Sequence, residues 1–273
     1  MSVNSNLNSL FSLEGKIVLM TGAAGGIGAS LSKGMAGVGA TMCNCDVSEK
    51  GLQKLADEIA AEGGAARSYI MDVTDRSSIQ AAVDAIVKEF GKIDVLVNVA
   101  GINKREGFMD VKEEVYDRIM DINLKSVFFV TQAVVHHMMK AHNGSIINIG
   151  SHNATGMLGG CSVYGATKSG VVALTRSMAV EWAEWGIRAN AVSPGHILTP
   201  LTQVTWDHPT RGDYLRDRIA MRRPGNPEEL LGVIVLLASD SSGYISGSNY
   251  VVDGGCLCGG MPWDFDSAYR NIQ

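Results

Sequence analysis

The sequence predicts an α/β fold: a single doubly wound domain whose seven parallel strands form one sheet with helices on both faces. Three observations predict it. From Gly15 to Asp253, short and nearly continuous apolar runs alternate with amphipathic stretches of helical period, the pattern of strands buried on both faces and joined by helices. Glycine is abundant, at 32 of 273 residues, and supplies the many tight turns that such alternation requires. Several apolar runs end in Gly, Asp, Asn or Ser, where a doubly wound sheet places its ligands.

The strands read in order as KIVLMTG, ATMCNCDV, ARSYIMDV, IDVLVNVAG, GSIINIGS, IRANAVSPG and NYVVDGG. Amphipathic stretches at 49–62, 76–90, 112–141, 162–185 and 227–238 supply helices between them, with right-handed crossovers. No linker or repeat divides the chain, so one domain over 15–255 is expected. It would be preceded by an arm (1–14) rich in Asn and Ser and followed by a tail (256–273). Two parts break the alternation. Segment 196–226 is a long insertion, expected as a lid or binding loop. The tail carries Met261, Pro262, Trp263 and Tyr269, whose aromatics suggest docking.

Composition narrows the function. Lys and Arg number 23 against 28 Asp and Glu, a net charge of −5. Arg216, Arg218, Arg222 and Arg223 are interrupted by acidic and apolar residues, so no nucleic-acid groove is expected. Five cysteines, at 43, 45, 161, 256 and 258, form no CxxC pair or metal-ligand spacing. They point to a reducing, cytoplasmic setting with neither disulfides nor a bound metal. The N-terminus lacks a secretory pattern and no apolar run has membrane-spanning length.

The first strand runs into AAGGIG, which opens a helix. Gly22, Gly26 and Gly28 stand where positive φ and close backbone approach are needed, and the helix N-terminus offers free N–H groups to a pyrophosphate. The second strand ends at Asp46. A carboxylate there accepts hydrogen bonds from ribose hydroxyls and repels a 2′-phosphate. With Gly25 where an arginine would bind that phosphate, the expectation is NAD rather than NADP. Asp72-Val73 and Asn98-Val99-Ala100-Gly101 fall at the next strand ends and are candidates for the adenine and ribose pocket. Asp72 could equally cap the following helix.

Tyr164 and Lys168 stand four residues apart, and Ser151 precedes the tyrosine by thirteen. On a helix, i and i+4 share a face, so an ammonium can sit beside a phenol and favour phenolate. Such a phenol exchanges protons with an alcohol or alkoxide.

Together these residues resemble the short-chain dehydrogenase/reductase family, over residues 15–255. The carriers are TGAAGGIG at 21–28, Asp46, DV at 72–73, NVAG at 98–101, Asn123 in DINLKSVFF, Ser151 in INIGS, YGATK at 164–168 and NAVSPGHILTP at 190–200. Where the family has NNAG this chain reads NVAG, a change beside the cofactor that keeps Asn98. The resemblance implies a single Rossmann domain that binds a dinucleotide, NAD here, through Gly22, Gly26, Ile27, Gly28, Asp46, Asp72, Val73, Asn98, Ala100 and Gly101. It implies a catalytic tetrad in which Tyr164 is the acid/base and Lys168 lowers its pKa and binds the nicotinamide ribose. Ser151 would hold the substrate oxygen and Asn123 a water leading to bulk solvent. Pro194, Gly195 and Ile197 would cover the nicotinamide, with Thr199 near the phosphates. The resemblance also implies a homotetramer, with the helix ending near Trp185 against a neighbour, although ordinary core packing explains Trp182 and Trp185 as well.

Specificity is expected from Asn103, Lys104 and Arg105, from His152 and Asn153, and from His196 with the insertion around Trp206 and His208. This set is rich in hydrogen-bonding groups, which favours a small polar alcohol or ketone such as a sugar, sugar acid or polyol. The group of gluconate 5-dehydrogenases and polyol dehydrogenases is similar. A 3-oxoacyl-(acyl-carrier-protein) reductase is the alternative enzyme. A cofactor-sensing interaction protein is the non-enzymatic one, and it would be expected to have lost a tetrad member.

Overall fold

A computed structural model describes residues 9–200 and 202–259. Most of the arm and of the tail, including Met261, Pro262, Trp263 and Tyr269, lies outside the described residues.

All seven expected strands form, in one parallel sheet: β1 (Ile17–Thr21), β2 (Thr41–Asp46), β3 (Ala65–Ile70), β4 (Val95–Asn98), β5 (Gly144–Ile149), β6 (Ile187–Pro194) and β7 (Asn249–Val252). Their order is β3-β2-β1-β4-β5-β6-β7. The chain winds outward from β1 in one direction, then returns past it to β4. Thr21 and Asn98 pair at the ends of these two strands, so the cleft of a doubly wound sheet opens above them.

The strands alternate their side chains between two cores. Val18 and Met20 of β1 pack with Leu31 and Met35 of α1 (Gly26–Gly37), Leu52 and Leu55 of α2 (Glu49–Ala61) and Ile234 of α9 (Leu231–Ala238). Ile17 and Leu19 face the other side, against α3 (Arg76–Phe90), α5 (Ser126–Ala141) and α6 (Ser162–Glu181). This period of two is what a strand buried on both faces requires.

Three departures from the expected elements bear on function. The 112–141 stretch is not one regular helix. It comprises α4 (Glu113–Met120), a π-helical turn over Asp121–Lys125, and α5. The insertion contains α7 (Gln203–Trp206) and α8 (Pro209–Arg218). They build a small satellite core of Trp206, Leu215 and Ile219, with Leu198 and Cys256 packed on it. Finally, Trp182 and Trp185 pack partly buried against the second core, so core packing explains them without a neighbouring chain. Among the described residues no helix is long and apolar enough to cross a membrane.

Candidate active site

The glycine turn is shaped by close backbone contacts. Gly22 has φ +65°, and a Cβ there would stand 2.7 Å from the Ala100 Cα. A Cβ on Gly28 would collide with the Gly22 carbonyl oxygen. Gly26 faces Thr199, whose Cβ would be 3.1 Å from an added Cβ, so the segment after β6 reaches the glycine turn. No side chain caps α1 and no acid sits in its first turn. Its N–H groups are therefore left for an anionic ligand, and the cradle fits a dinucleotide pyrophosphate. Ile27 packs against the first core.

Asp46 ties that turn to β2. Its Oδ2 accepts from the Ala24 N–H at 3.1 Å and its Oδ1 from the Ser48 N–H at 3.0 Å. Asp72 closes its own turn, accepting from the N–H and hydroxyl of Thr74 at 2.8 and 2.7 Å. The cap of α3 is Asp75 instead. Val73 packs on the second core.

Asn98 corrects the sequence expectation. Its side chain is not presented to the cleft but is locked inside the sheet. Nδ2 donates to Asn148 Oδ1 at 2.8 Å and to Thr131 Oγ1 at 3.1 Å, and Asn148 in turn donates to Thr175 at 2.9 Å. The cleft-side contact comes from Thr21, whose hydroxyl accepts from the N–H groups of Val99 and Ala100.

The four expected tetrad residues converge near the end of β5. Ser151 is buried, and its Oγ accepts from the Asn153 N–H at 3.1 Å. Tyr164 and Lys168 share a face of α6, with the amine 5.7 Å from the centre of the phenol ring. Lys168, 4 % exposed, donates to the Ile149 carbonyl at 2.7 Å. Asn123 rides on the π-helical turn. It clamps Ile102 in both directions at 2.8 Å, accepting from its N–H and donating to its carbonyl. Gly101 lies between the two: a Cβ there would be 3.4 Å from Asn123 Oδ1 and 3.6 Å from Lys168 Nζ.

The electrostatics differ from the expected lysine effect. Burial pushes the Tyr164 pKa above its ordinary 10; a hydrogen bond with Ser151 pulls it partly back, and Cys161 adds to the rise. Burial also brings the Lys168 pKa from 10.5 down to about 8, with its amine hydrogen-bonded to the Ile149 carbonyl. Two groups expected to cooperate are each destabilised in their charged forms by loss of water.

The specificity candidates separate into two sets. His152 and Asn153 are buried beside Ser151. The His152 and His196 rings meet edge-on, centroids 4.6 Å apart, and Trp206 packs on His196 at 6.1 Å. Asn103 reaches Cys161, its Nδ2 lying 3.7 Å from the sulfur. In contrast, Lys104 is paired with Glu106 at 2.7 Å, and Arg105 is exposed. His208 caps α8, accepting from the Thr210 and Arg211 N–H groups, so it is structural. Pro194 ends β6 and Gly195 follows it, where a Cβ would meet Asp253. Ile197 bridges to Gly225.

Sequence reasoning missed Asp253 and Cys256. The Asp253 carboxylate accepts from the N–H groups of Gly255 and Leu257 at 2.9 and 2.8 Å, which folds the chain after β7 back over the site. Cys256 thereby joins His152 and His196. Only the Asp-Gly-Gly turn signal hinted at this.

Comparison with known proteins agrees with this geometry. Residues 22–256 match the family described as Enoyl-(Acyl carrier protein) reductase. D-threitol dehydrogenase of Mycolicibacterium smegmatis is 40% identical over 245 residues, covering 90% of this chain and 94% of that one. The 3-oxoacyl-(acyl-carrier-protein) reductase of Thermotoga maritima is 42% identical over 247 residues, covering 90% and 99%. A crystal structure of gluconate 5-dehydrogenase from Burkholderia cenocepacia, in complex with NADP and tartrate, superposes with a TM-score of 0.89 at 36% identity, covering 92% and 99%. With its sheet order, glycine cradle and Ser-Tyr-Lys geometry, the chain belongs to the short-chain dehydrogenase/reductase family.

Proposed function

We propose that this protein is an NAD-dependent oxidoreductase interconverting a secondary alcohol and a ketone on a sugar, sugar acid or polyol. The observation that carries it is the convergence of Ser151, Tyr164 and Lys168 beside the cleft at the ends of β4 and β5. Nicotinamide, when bound, supplies or accepts the hydride. Tyr164 gives a proton to the substrate oxygen during ketone reduction and takes it back during alcohol oxidation. Ser151 donates a hydrogen bond to that oxygen and stabilises its developing negative charge. The proton path from Tyr164 runs by Lys168 and Asn123, which flank Gly101.

Asp46 supports the choice of NAD: its carboxylate is fixed beside the phosphate turn, where a 2′-phosphate would meet like charge. Polar lining supports the substrate class. His152 and Asn153 are buried next to Ser151, and His152 Nδ1 and Asn153 Oδ1 lack hydrogen-bond partners. Unpaired buried groups of this kind cost about 1–3 kcal/mol each, and hydroxyls of a polyol would satisfy them. An acyl thioester would leave them unpaired, which favours the polyol reading over the reductase alternative. Assembly as a homotetramer belongs to the same reading. Tyr116, Phe128 and Val180, on α4, α5 and α6, supply exposed apolar surface for it.

The test is reduced-nicotinamide absorbance with NAD and NADP across polyols, sugar acids and a 3-oxoacyl thioester. Turnover of the polyols or sugar acids with NAD is expected, and turnover of the thioester alone overturns the reading. In Tyr164→Phe, NAD affinity is expected to stay within about twofold while turnover falls at least a hundredfold. A variant keeping a tenth of the rate contradicts the assigned role.

A further inference from the structure

One group of side chains near the site has the makings of a ligand set that the sequence spacing did not disclose. A ring nitrogen of His152, a ring nitrogen of His196 and Sγ of Cys256 all lie within 4.8 Å of one another. They arrive from three separate segments, after β5, β6 and β7 respectively. His152 is 6 % exposed and its Nδ1 has no hydrogen-bond partner. Cys256 is a free thiol. The geometry points to a soft divalent cation site of the Zn2+ class, held by His152, His196 and Cys256.

Three arguments support it. Two imidazoles and one thiolate are a recognised donor set for Zn2+, with a fourth position left for water or a small ligand. Ligand atoms around a tetrahedral Zn2+ stand about 3.3–3.6 Å apart, given metal–ligand bonds near 2.0–2.3 Å. The observed spacing therefore closes with side-chain rotations of roughly an ångström.

Second, a ligating imidazole must offer a free lone pair, and His152 Nδ1 is buried with no hydrogen-bond partner. Third, the set is held in place. Trp206 packs on His196, and Cys256 packs on the satellite core of Trp206, Leu215 and Ile219. The Asp253 carboxylate fixes the turn that carries the thiol.

Local charge is mixed. Arg105 and Arg218 disfavour a cation at His196, while Asp253 favours one. A bound thiolate removes one further positive charge from the complex, and its proton leaves to solvent on binding. This also sets the expected selectivity: hard Mg2+ or Ca2+, which want oxygen ligands, should not bind here. The inference does not depend on the alcohol–ketone reading, because metal binding is measured without nucleotide or substrate; a bound metal would take the place of a polyol hydroxyl at His152 Nδ1.

The experiment is equilibrium dialysis of the untagged full chain against Zn2+, read by elemental analysis, with Co2+ as a spectroscopic probe. About one equivalent per chain is expected, with an intense near-ultraviolet thiolate-to-cobalt band. Cys256→Ser should abolish that band, and His196→Ala should weaken Zn2+ binding at least tenfold, with Cys258→Ser as an unaffected control. Circular dichroism verifies that each variant is folded. Should a variant unfold, the wild-type cobalt spectrum decides: a cobalt-loaded protein without the band overturns the site. Failure to retain Zn2+, or retention unchanged in both folded ligand variants, overturns it as well.

Discussion

Lys168 Nζ lies 2.7 Å from the carbonyl oxygen of Ile149 and 5.7 Å from the centre of the Tyr164 ring. The amine is thus anchored to the last residue of β5 and only adjacent to the phenol. Burial brings its pKa from 10.5 to about 8, a cost on the order of 3 kcal/mol at neutral pH. Losing its hydrogen bond costs about 1 kcal/mol. Lys168→Met is therefore expected to raise stability by about 2 kcal/mol while turnover falls at least a hundredfold. The folded pKa is depressed, so the penalty is complete below about 8 and fades as pH rises toward 10.5. Melting curves of both proteins at neutral and alkaline pH check this; a variant that melts lower than wild type at pH 7 contradicts it.

Tyr164 is pushed upward from 10 by burial, so the nucleotide-free protein should hold it as a phenol through neutral pH. The tyrosinate difference spectrum between wild type and Tyr164→Phe is expected to stay flat until above about pH 10. A step in that spectrum between pH 7 and 8 would show that the lysine acts on the phenol after all.

Asp46 holds the Ala24 N–H, and in the proposed reading its carboxylate also repels a 2′-phosphate beside the turn. In Asp46→Ala the preference for NAD over NADP, as a ratio of kcat/KM, should narrow at least tenfold. Steady-state kinetics with both nucleotides measures it, and an unaltered ratio places the carboxylate's influence elsewhere.

The chain of Asn98, Asn148 and Thr175 joins β4, β5 and α6 inside the sheet. Asn148→Ala removes one hydrogen bond from each of two buried partners, Asn98 and Thr175, and should destabilise the protein by about 1–3 kcal/mol. Urea unfolding gives the number. Turnover per folded molecule should change less than twofold, and a larger change would place this network within the chemistry.

Much of this was legible in the sequence, for reasons that also explain the gaps. The strands were readable because each is apolar along its length and closed by turn residues. Tyr164 and Lys168 were readable because helical spacing fixes which residues share a face. Asn98 was misplaced because a strand-end motif gives a position along the strand but not the face its side chain takes. The clamp of Asn123 on Ile102 was hidden because a π-helical turn shifts register without changing composition. The burial that shifts both Tyr164 and Lys168 away from their charged forms was hidden because i,i+4 spacing does not encode it. Cys256 was hidden because three distant segments had to fold before it met two histidines.

The widened turn at Asp121–Lys125 has a consequence for how this stretch of chain tolerates change. It fits one additional residue into the winding, and each residue of an ordinary helix advances the axis by about 100°. Deleting one position there would let the winding regularise, with the flanking helices keeping their faces, and would draw Asn123 back into the ordinary helical ladder. Exchanges at the exposed positions of 113–141 should thus be survivable, whereas a loss of length by one should strip the Ile102 loop of its support. Shortened and substituted libraries ought to diverge most sharply here.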